Sequence, residues 1–364
     1  MTRRHVFLKF AGLLFVLISA LALTPAFSVP SINVNVQPIG ACTAERYYID
    51  VNITNLEGRP LTNQTFNVTI PADRIPAYSK LKAGNVYVVD ENGKPLYYWV
   101  MRKTSKVFTV FFRVPYIDAN GWKVVRIYYG SRNHYRGYRK PTNLFVYFES
   151  FSRLKNYSHV NTGIFPNSKS FQSGELRVSR NRLVIDSTIS TGLFPTAKEA
   201  QLTTLRIDGS YDIVFKFRRG SNAQSSNSYP FYMFVYAKVG NTNRYDYIGI
   251  HESNSAFYFE FGDNRGRTYE TSAKAGKQYY LGRILVSPHG SSGSVEKFSN
   301  GALVDSYSFK NKFGSRDVSV GFGQANADFF TTVNLLAYVD WVYIVKHVNY
   351  DVRIVGMGAE CSCN

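Results

Sequence analysis

The chain has 364 residues, 45% hydrophobic and 16% aromatic, with a formal net charge of +18. That length supports two domains with cores of their own. The charge favours anionic surfaces as partners, acidic polysaccharide, anionic lipid or an acidic surface layer before nucleic acid, and no specific nucleic-acid binding is expected.

Residues 1–28 begin with Arg3, Arg4 and Lys9, continue in an apolar run from Phe10 to Leu23 and end in the small residues Ala26 and Ser28. This is the layout of a secretory signal peptide and predicts export to the cell surface. An uncleaved anchor is the alternative, but the apolar run is short for a bilayer and Pro25 ends it early. No later segment is apolar enough to span a membrane. Residues 29–45 hold a free-standing alternating strand, Ile32-Asn-Val-Asn-Val36, and the first of three cysteines, Cys42. Such a strand completes its own domain or is donated to a neighbour's open sheet edge.

Residues 46–131 read as a β-sandwich. Strands are predicted at Tyr48–Ile53, Phe66–Ile70, Val86–Val89, Val107–Val114 and Lys123–Tyr129, with turns at Asp90-Glu-Asn-Gly93 and Asp118-Ala-Asn-Gly121. Asn52, Asn63, Asn67 and Asn156 each begin an Asn-x-Ser/Thr acceptor sequence, and the first three fall close enough together to predict one glycosylated face. Residues 132–143 are a basic linker, Arg132, Arg136, Arg139 and Lys140 interleaved with Tyr135 and Tyr138.

Residues 144–348 form a second all-β block. Its strands are predicted at Leu144–Phe151, Leu183–Ile185, Tyr211–Arg218, Tyr229–Val239, Tyr245–His251, Ala256–Phe261, Tyr279–Val286, Ser294–Phe298, Asp317–Phe322 and Val333–Val345, which suggests a two-sheet jelly roll. Residues 349–364 read as a tail carrying Cys361 and Cys363. In an exported chain Cys42 pairs with Cys361 or with Cys363, tying the ends together and leaving one thiol for an intermolecular bond.

Several stretches resemble known families. Tyr48–Asn55, Leu61–Val68, Val86–Gly93, Pro95–Trp99, Val114-Pro115 and Lys123–Gly130 resemble a domain family of unknown function from secreted archaeal and bacterial proteins. In that family a concanavalin A-like (laminin-G-like) lectin/glucanase sandwich often follows. Phe145–Phe151, Gly174–Val178 and Ala337–Tyr343 resemble its first strand, a Gly-x-Leu strand and its closing strand. The resemblance implies an all-β chain of two sandwiches and a carbohydrate-binding surface. It also implies a place for a structural calcium, held by an acidic residue from each end of the fold, here Glu149 and Asp340. Asp340 is the one charge in the apolar run Ala337–Val345, and a lone buried carboxylate is costly. The alternative is that each acid meets an Arg or Lys or faces water. Beyond calcium no cofactor is expected.

Glucanases of that fold place acids alternately along one strand of the concave sheet. The comparable stretch here is Phe257–Asp263, where Glu260 and Asp263 are three apart and fall on opposite faces. The histidines show no metal-ligand spacing, and no nucleophile elbow or phosphate loop is present. Sugar modules stack rings on pyranose faces, and the candidates are Tyr229, Tyr232, Tyr236, Tyr245, Tyr247 and Tyr258. The sequence thus predicts a non-catalytic cell-surface binding or adhesion protein with a glycan ligand. Two alternatives stay open: a subunit of an extracellular filament or sheath that binds copies of itself by strand donation, and a degenerate glycoside hydrolase.

Overall fold

Runs of apolar residues with a period of two bury one face each, and the fold stacks those faces in two sandwiches. The computed structural model describes residues 44–131, 135–151, 176–186, 196–220, 231–239, 245–253, 256–263, 268–309, 313–326 and 336–361. The signal-peptide reading of residues 1–28, the strand at Ile32–Val36 and the sequon at Asn156 lie outside them. Among the described residues no helix is long and apolar enough to cross a membrane.

The first sandwich opens with β1 (Ala44–Asn55), β2 (Leu61–Pro71), β3 (Tyr87–Asp90), β4 (Tyr98–Lys103), β5 (Val107–Ile117) and β6 (Trp122–Tyr129). The jelly roll comprises β7 (Tyr147–Glu149), β8 (Leu176–Val178), β9 (Leu183–Asp186), β10 (Thr196–Arg206), β11 (Tyr211–Arg219), β12 (Phe231–Val239) and β13 (Tyr245–Ser253). It continues through β14 (Ala256–Asp263), β15 (Thr268–Lys274), β16 (Tyr280–Val286), β17 (Ser291–Lys297), β18 (Leu303–Phe309), β19 (Asp317–Asn326) and β20 (Leu336–Lys346). A last strand, β21 (Tyr350–Cys361), follows.

The segment read as a tail returns to the first sandwich. β21 pairs along its length with β1, from Asn55 opposite Tyr350 to Ala44 opposite Cys361. The first sandwich therefore has sheets ordered β21-β1-β6-β3 and β2-β5-β4, and the jelly roll is inserted between β6 and β21. One sequence feature hid this strand. Val355 is an extra residue where the register steps from Asp50–Gly356 to Val51–Ile354, and it is 55% exposed. A bulge shifts the inward set by one position, so Ile354 and Met357 both reach the core although they are three apart. The backbone of Cys361 lies opposite Ala44, close to where the cysteine reading joins the ends. Cys42, Cys363 and the Cys361 side chain lie outside the described part.

The jelly roll has a six-stranded sheet, β10-β19-β12-β13-β14-β15. Facing it is an eight-stranded sheet, β18-β17-β16-β11-β20-β9-β8 with β7 beside β20. Their inner faces enclose one core that includes Phe215, Phe217, Phe259, Phe261 and Tyr280.

The outer face of the eight-stranded sheet is itself partly covered. Trp99 and Phe111, from the three-stranded sheet, pack with Val214, Leu281, Trp341 and Tyr343 of the jelly roll and with Leu144 and Phe145 between the domains. Trp99 meets Trp341 edge-on, with centroids 5.2 Å apart, and Phe145 stacks on Tyr343 at 4.4 Å. The Arg113 guanidinium donates to the Leu144 carbonyl at 2.8 Å, and the Thr65 hydroxyl donates to the same oxygen. In the basic linker, Tyr135 rests on Tyr87 and Tyr138 on Tyr97, while Arg136, Arg139 and Lys140 stay exposed. The described part of the linker is thus packed on the first sandwich through Tyr135 and Tyr138.

The acceptor asparagines do not form one face. Asn52 lies on β1 in the four-stranded sheet and Asn63 and Asn67 on β2 in the three-stranded sheet, because the chain crosses the sandwich between them. Asn63 is exposed in β2, whereas the Asn52 Oδ1 is buried.

Truncating a buried aromatic costs about 3–5 kcal/mol. Trp99→Ala is expected to lose stability of that order in urea unfolding, because the cavity opens where the two sandwiches meet.

Candidate functional site

Of the tyrosines named as sugar-stacking candidates, Tyr236, Tyr247 and Tyr258 share one face of the six-stranded sheet. Met233, Val235 and Ala237 point into the core, so Phe234 and Tyr236 face outward. In β13, Ile248 and Ile250 point inward and Tyr247 outward; in β14, Phe257 and Phe259 point inward, leaving Tyr258 and Glu260 on the outer side. Tyr236 lies opposite Tyr247, and Tyr232 opposite His251, which in turn lies opposite Tyr258. Tyr245 pairs with Lys238. The side chains of Tyr232 and Tyr245, and all of Tyr229, lie outside the described residues.

Their burial corrects the sequence reading. Tyr236 is 3% exposed and Tyr247 8% exposed, and with Phe234 they form a closed cluster. The rings lie flat over glycines of neighbouring strands. A Cβ at Gly262 would fall 2.1 Å from the Tyr247 ring, and one at Gly323 would fall 2.0 Å from the Phe234 ring. Rings packed this way offer no free face to a pyranose. Tyr258 remains half-buried.

Glu260 sits in the same cluster, 2% exposed, and accepts a hydrogen bond from the Tyr247 hydroxyl. Burial pushes its carboxyl up to about 7; the Tyr247 bond pulls the other way, and Glu270 adds to the rise. Glu270 lies directly opposite Glu260 across the β14–β15 ladder. The two acids meet between strands, where a search along a single strand does not look. Asp263 pairs with Asp246 by register, and its side chain lies outside the described residues.

Glu149 and Asp340 do not converge on a cation. Glu149 lies opposite Val342, which points into the core, and its Oε1 accepts the Phe151 N–H at 2.6 Å. Asp340 occupies a register step between Lys216–Trp341 and Phe217–Val339. There it turns to the outer face and meets the Lys216 ammonium at 2.7 Å. The sheet lies between the two acids, and among the described residues no group of three or more His, Cys, Asp or Glu side chains could hold a metal. The donor set does not fit the shared calcium, and the charge inside the apolar run is balanced by a lysine.

That lysine belongs to an alternating series of cations and rings. Lys216 lies over Tyr279 at 4.1 Å and over Phe298 at 4.4 Å. The Arg218 guanidinium lies over Tyr279 at 5.0 Å and over Tyr338 at 4.7 Å, and Arg182 lies over Tyr338 at 5.2 Å. At the other end Arg102, from the first sandwich, lies over Phe298 at 5.2 Å and pairs with Glu296. The order is Arg182, Tyr338, Arg218, Tyr279, Lys216, Phe298, Arg102. The series crosses the outer face of the eight-stranded sheet and ends at the docked first sandwich. Sequence reasoning passed over it, although Lys216-x-Arg218 and Tyr338-x-Asp340 carry its strand period. The rungs come from five separate stretches of the jelly roll and one of the first sandwich, and the pairing of β11 with β20 and β16, of β20 with β9 and of β16 with β17 brings them together.

Residues 82–160 match the model of a domain of unknown function (DUF2341). No curated protein matches the chain. Among solved structures, the galactose complex of lectin UEA-II (Ulex europaeus lectin II) is similar at 10% identity, covering 50% of this chain and 91% of that one, TM-score 0.35. The Emp47p carbohydrate recognition domain is similar at 9% identity, covering 48% and 86%, TM-score 0.33. The GH43 BlXynB protein from Bacillus licheniformis is similar at 10% identity, covering 46% and 34%, TM-score 0.33.

The state of Glu260 makes stability depend on pH. Its folded pKa lies above the ordinary value of 4.5, so the folded state holds the proton more tightly. The resulting stability, about 3 kcal/mol, is fully present below pH 4.5 and is lost as pH rises through 7. Urea unfolding at pH 5 and pH 8 is expected to show this difference in the wild type. Glu260→Gln, which cannot ionise, is expected to remove most of it.

Proposed function

We propose that this chain is an exported, non-catalytic binding protein of the cell surface and that its ligand class is glycan. One observation carries the reading. A strip of half-buried tyrosines and cations lies on a rigid sheet face beside the docked first sandwich, formed by Arg182, Lys216, Arg218, Tyr279 and Tyr338. Phenol hydroxyls, guanidinium N–H groups and the Asp340 carboxylate supply the mixture of donors and acceptors that sugar hydroxyls need. The cations lie over the ring faces, so contact is made by edges and polar tips rather than by a bare stacking platform. Such a surface is pre-organised, because each cation is held by the ring beside it and ordering it on binding costs little.

The basic character of the chain supports the same reading. Neutral and acidic glycans displayed together test it. Retention of at least one glycan class is expected, with weaker retention by Tyr338→Ala and no release of reducing ends from the bound material. Failure to retain any glycan would remove the reading, and hydrolysis would replace it with an enzymatic one.

A further inference from the structure

The cations of the series differ in how their charge is balanced. Lys216 is paired with Asp340 at 2.7 Å, and Arg102 with Glu296. Among the described residues neither Arg182 nor Arg218 is in an ion pair. Arg218 is half-buried between the rings of Tyr279 and Tyr338, and its Nε is buried with no hydrogen-bond partner. A guanidinium cannot lose its proton in a protein, so this end of the series carries two uncompensated positive charges held in place by rings.

We propose that Arg182 and Arg218 form an anion-binding site that takes the carboxylate or sulfate groups of an acidic polysaccharide. Both guanidiniums lie over the Tyr338 ring, Arg182 at 5.2 Å and Arg218 at 4.7 Å from its centroid. That ring fixes their separation, and a planar guanidinium fork suits a carboxylate or a sulfate better than an ammonium does. The neighbouring cation, Lys216, is already committed to Asp340, which confines the excess charge to this end.

Two other anionic partners fit less well. Single-stranded nucleic acid binds by stacking bases on open rings, and here Tyr338 and Tyr279 each carry a cation from two different residues. A bilayer presents a flat sheet of charge, whereas these groups are half-buried on a sheet face. An extended acidic sugar chain brings charge without a base to stack and is narrow enough to follow one line of cations.

The proposal rests on the reading of this strip as a glycan-binding surface, and the experiment separates the two. Binding of the whole chain to oligogalacturonate and to its methyl ester is measured at low and at physiological salt. Arg182→Gln, Arg218→Gln and, as a control for lost charge elsewhere, Arg206→Gln are compared with the wild type. Arg206 is an exposed residue of the six-stranded sheet, paired with Asp317. The expected result is binding of the acid but not the ester, weakened by salt, with an affinity loss of at least tenfold in Arg182→Gln and in Arg218→Gln and little change in Arg206→Gln. Arg182→Lys, which keeps the charge but not the fork, is expected to fall between. Folding of each variant is checked by its unfolding midpoint; if Arg218→Gln does not fold, the Arg182 variants decide. Equal binding of acid and ester, or unchanged affinity in Arg182→Gln, overturns the anion site and leaves the glycan reading standing. Binding of neither form, with retention of anionic phosphatidylserine vesicles or of an oligo-dT strand, overturns both.

Discussion

The meeting of Trp99 with Trp341 is the contact on which the rest of the molecule depends. Trp99 also makes ring contacts with Phe111, Phe145, Phe148 and Tyr343. Aromatic contacts of this kind add to the burial of apolar area, and here they cover part of a sheet face that would otherwise be an exposed apolar patch. Because the jelly roll is inserted between β6 and β21, the chain leaves the first sandwich and returns to it. One crossing enters the contact directly, through Leu144 and Phe145; at the other, Tyr350 packs on Phe66 of the first sandwich at 4.9 Å and accepts the Asn67 N–H at 3.3 Å. The two sandwiches are thereby held by packing and by two covalent connections.

Charge at this junction is handled by pairing. Arg283 holds Asp212 through two bonds of 2.7 and 2.9 Å, and the His347 Nδ1 lies 3.1 Å from the same carboxylate. Burial alone would raise the Asp212 carboxyl; Arg283 and His347 outweigh it and hold the group below its usual range. Arg102 reaches across from the first sandwich to Glu296 and Phe298. A chain with a net charge of +18 therefore spends part of its basic side chains in internal contacts. What remains uncompensated on the sheet face is concentrated at Arg182 and Arg218, at the opposite end of the series from Arg102.

Much of the fold was legible because strand period and turn residues are local signals. Phe215 and Phe217 flanked by Lys216 and Arg218 announce a two-sided strand, and the structure places them so. Polar edge strands such as β10 and β18, and the bulged β21, carry weaker periods and went unread. Asp340 shows the limit most clearly. Counted in twos from Ile344 and Val342, which point into the core, Asp340 would also point inward, but the register step beside it turns the carboxylate toward Lys216, a partner 124 positions away. For the tyrosines, sequence told which face they share but not that glycines across the ladder let the rings lie flat and close over one another. Depth of packing depends on the neighbours in space, and those are set by register.

Coupling through the Trp99–Trp341 contact makes the first sandwich and the jelly roll melt as one body. Differential scanning calorimetry of the whole chain measures this directly. A single transition whose calorimetric and van't Hoff enthalpies agree is the result the account requires. Two separated transitions, each with the enthalpy of one sandwich, would show that the Trp99–Trp341 contact does not couple them and would contradict it.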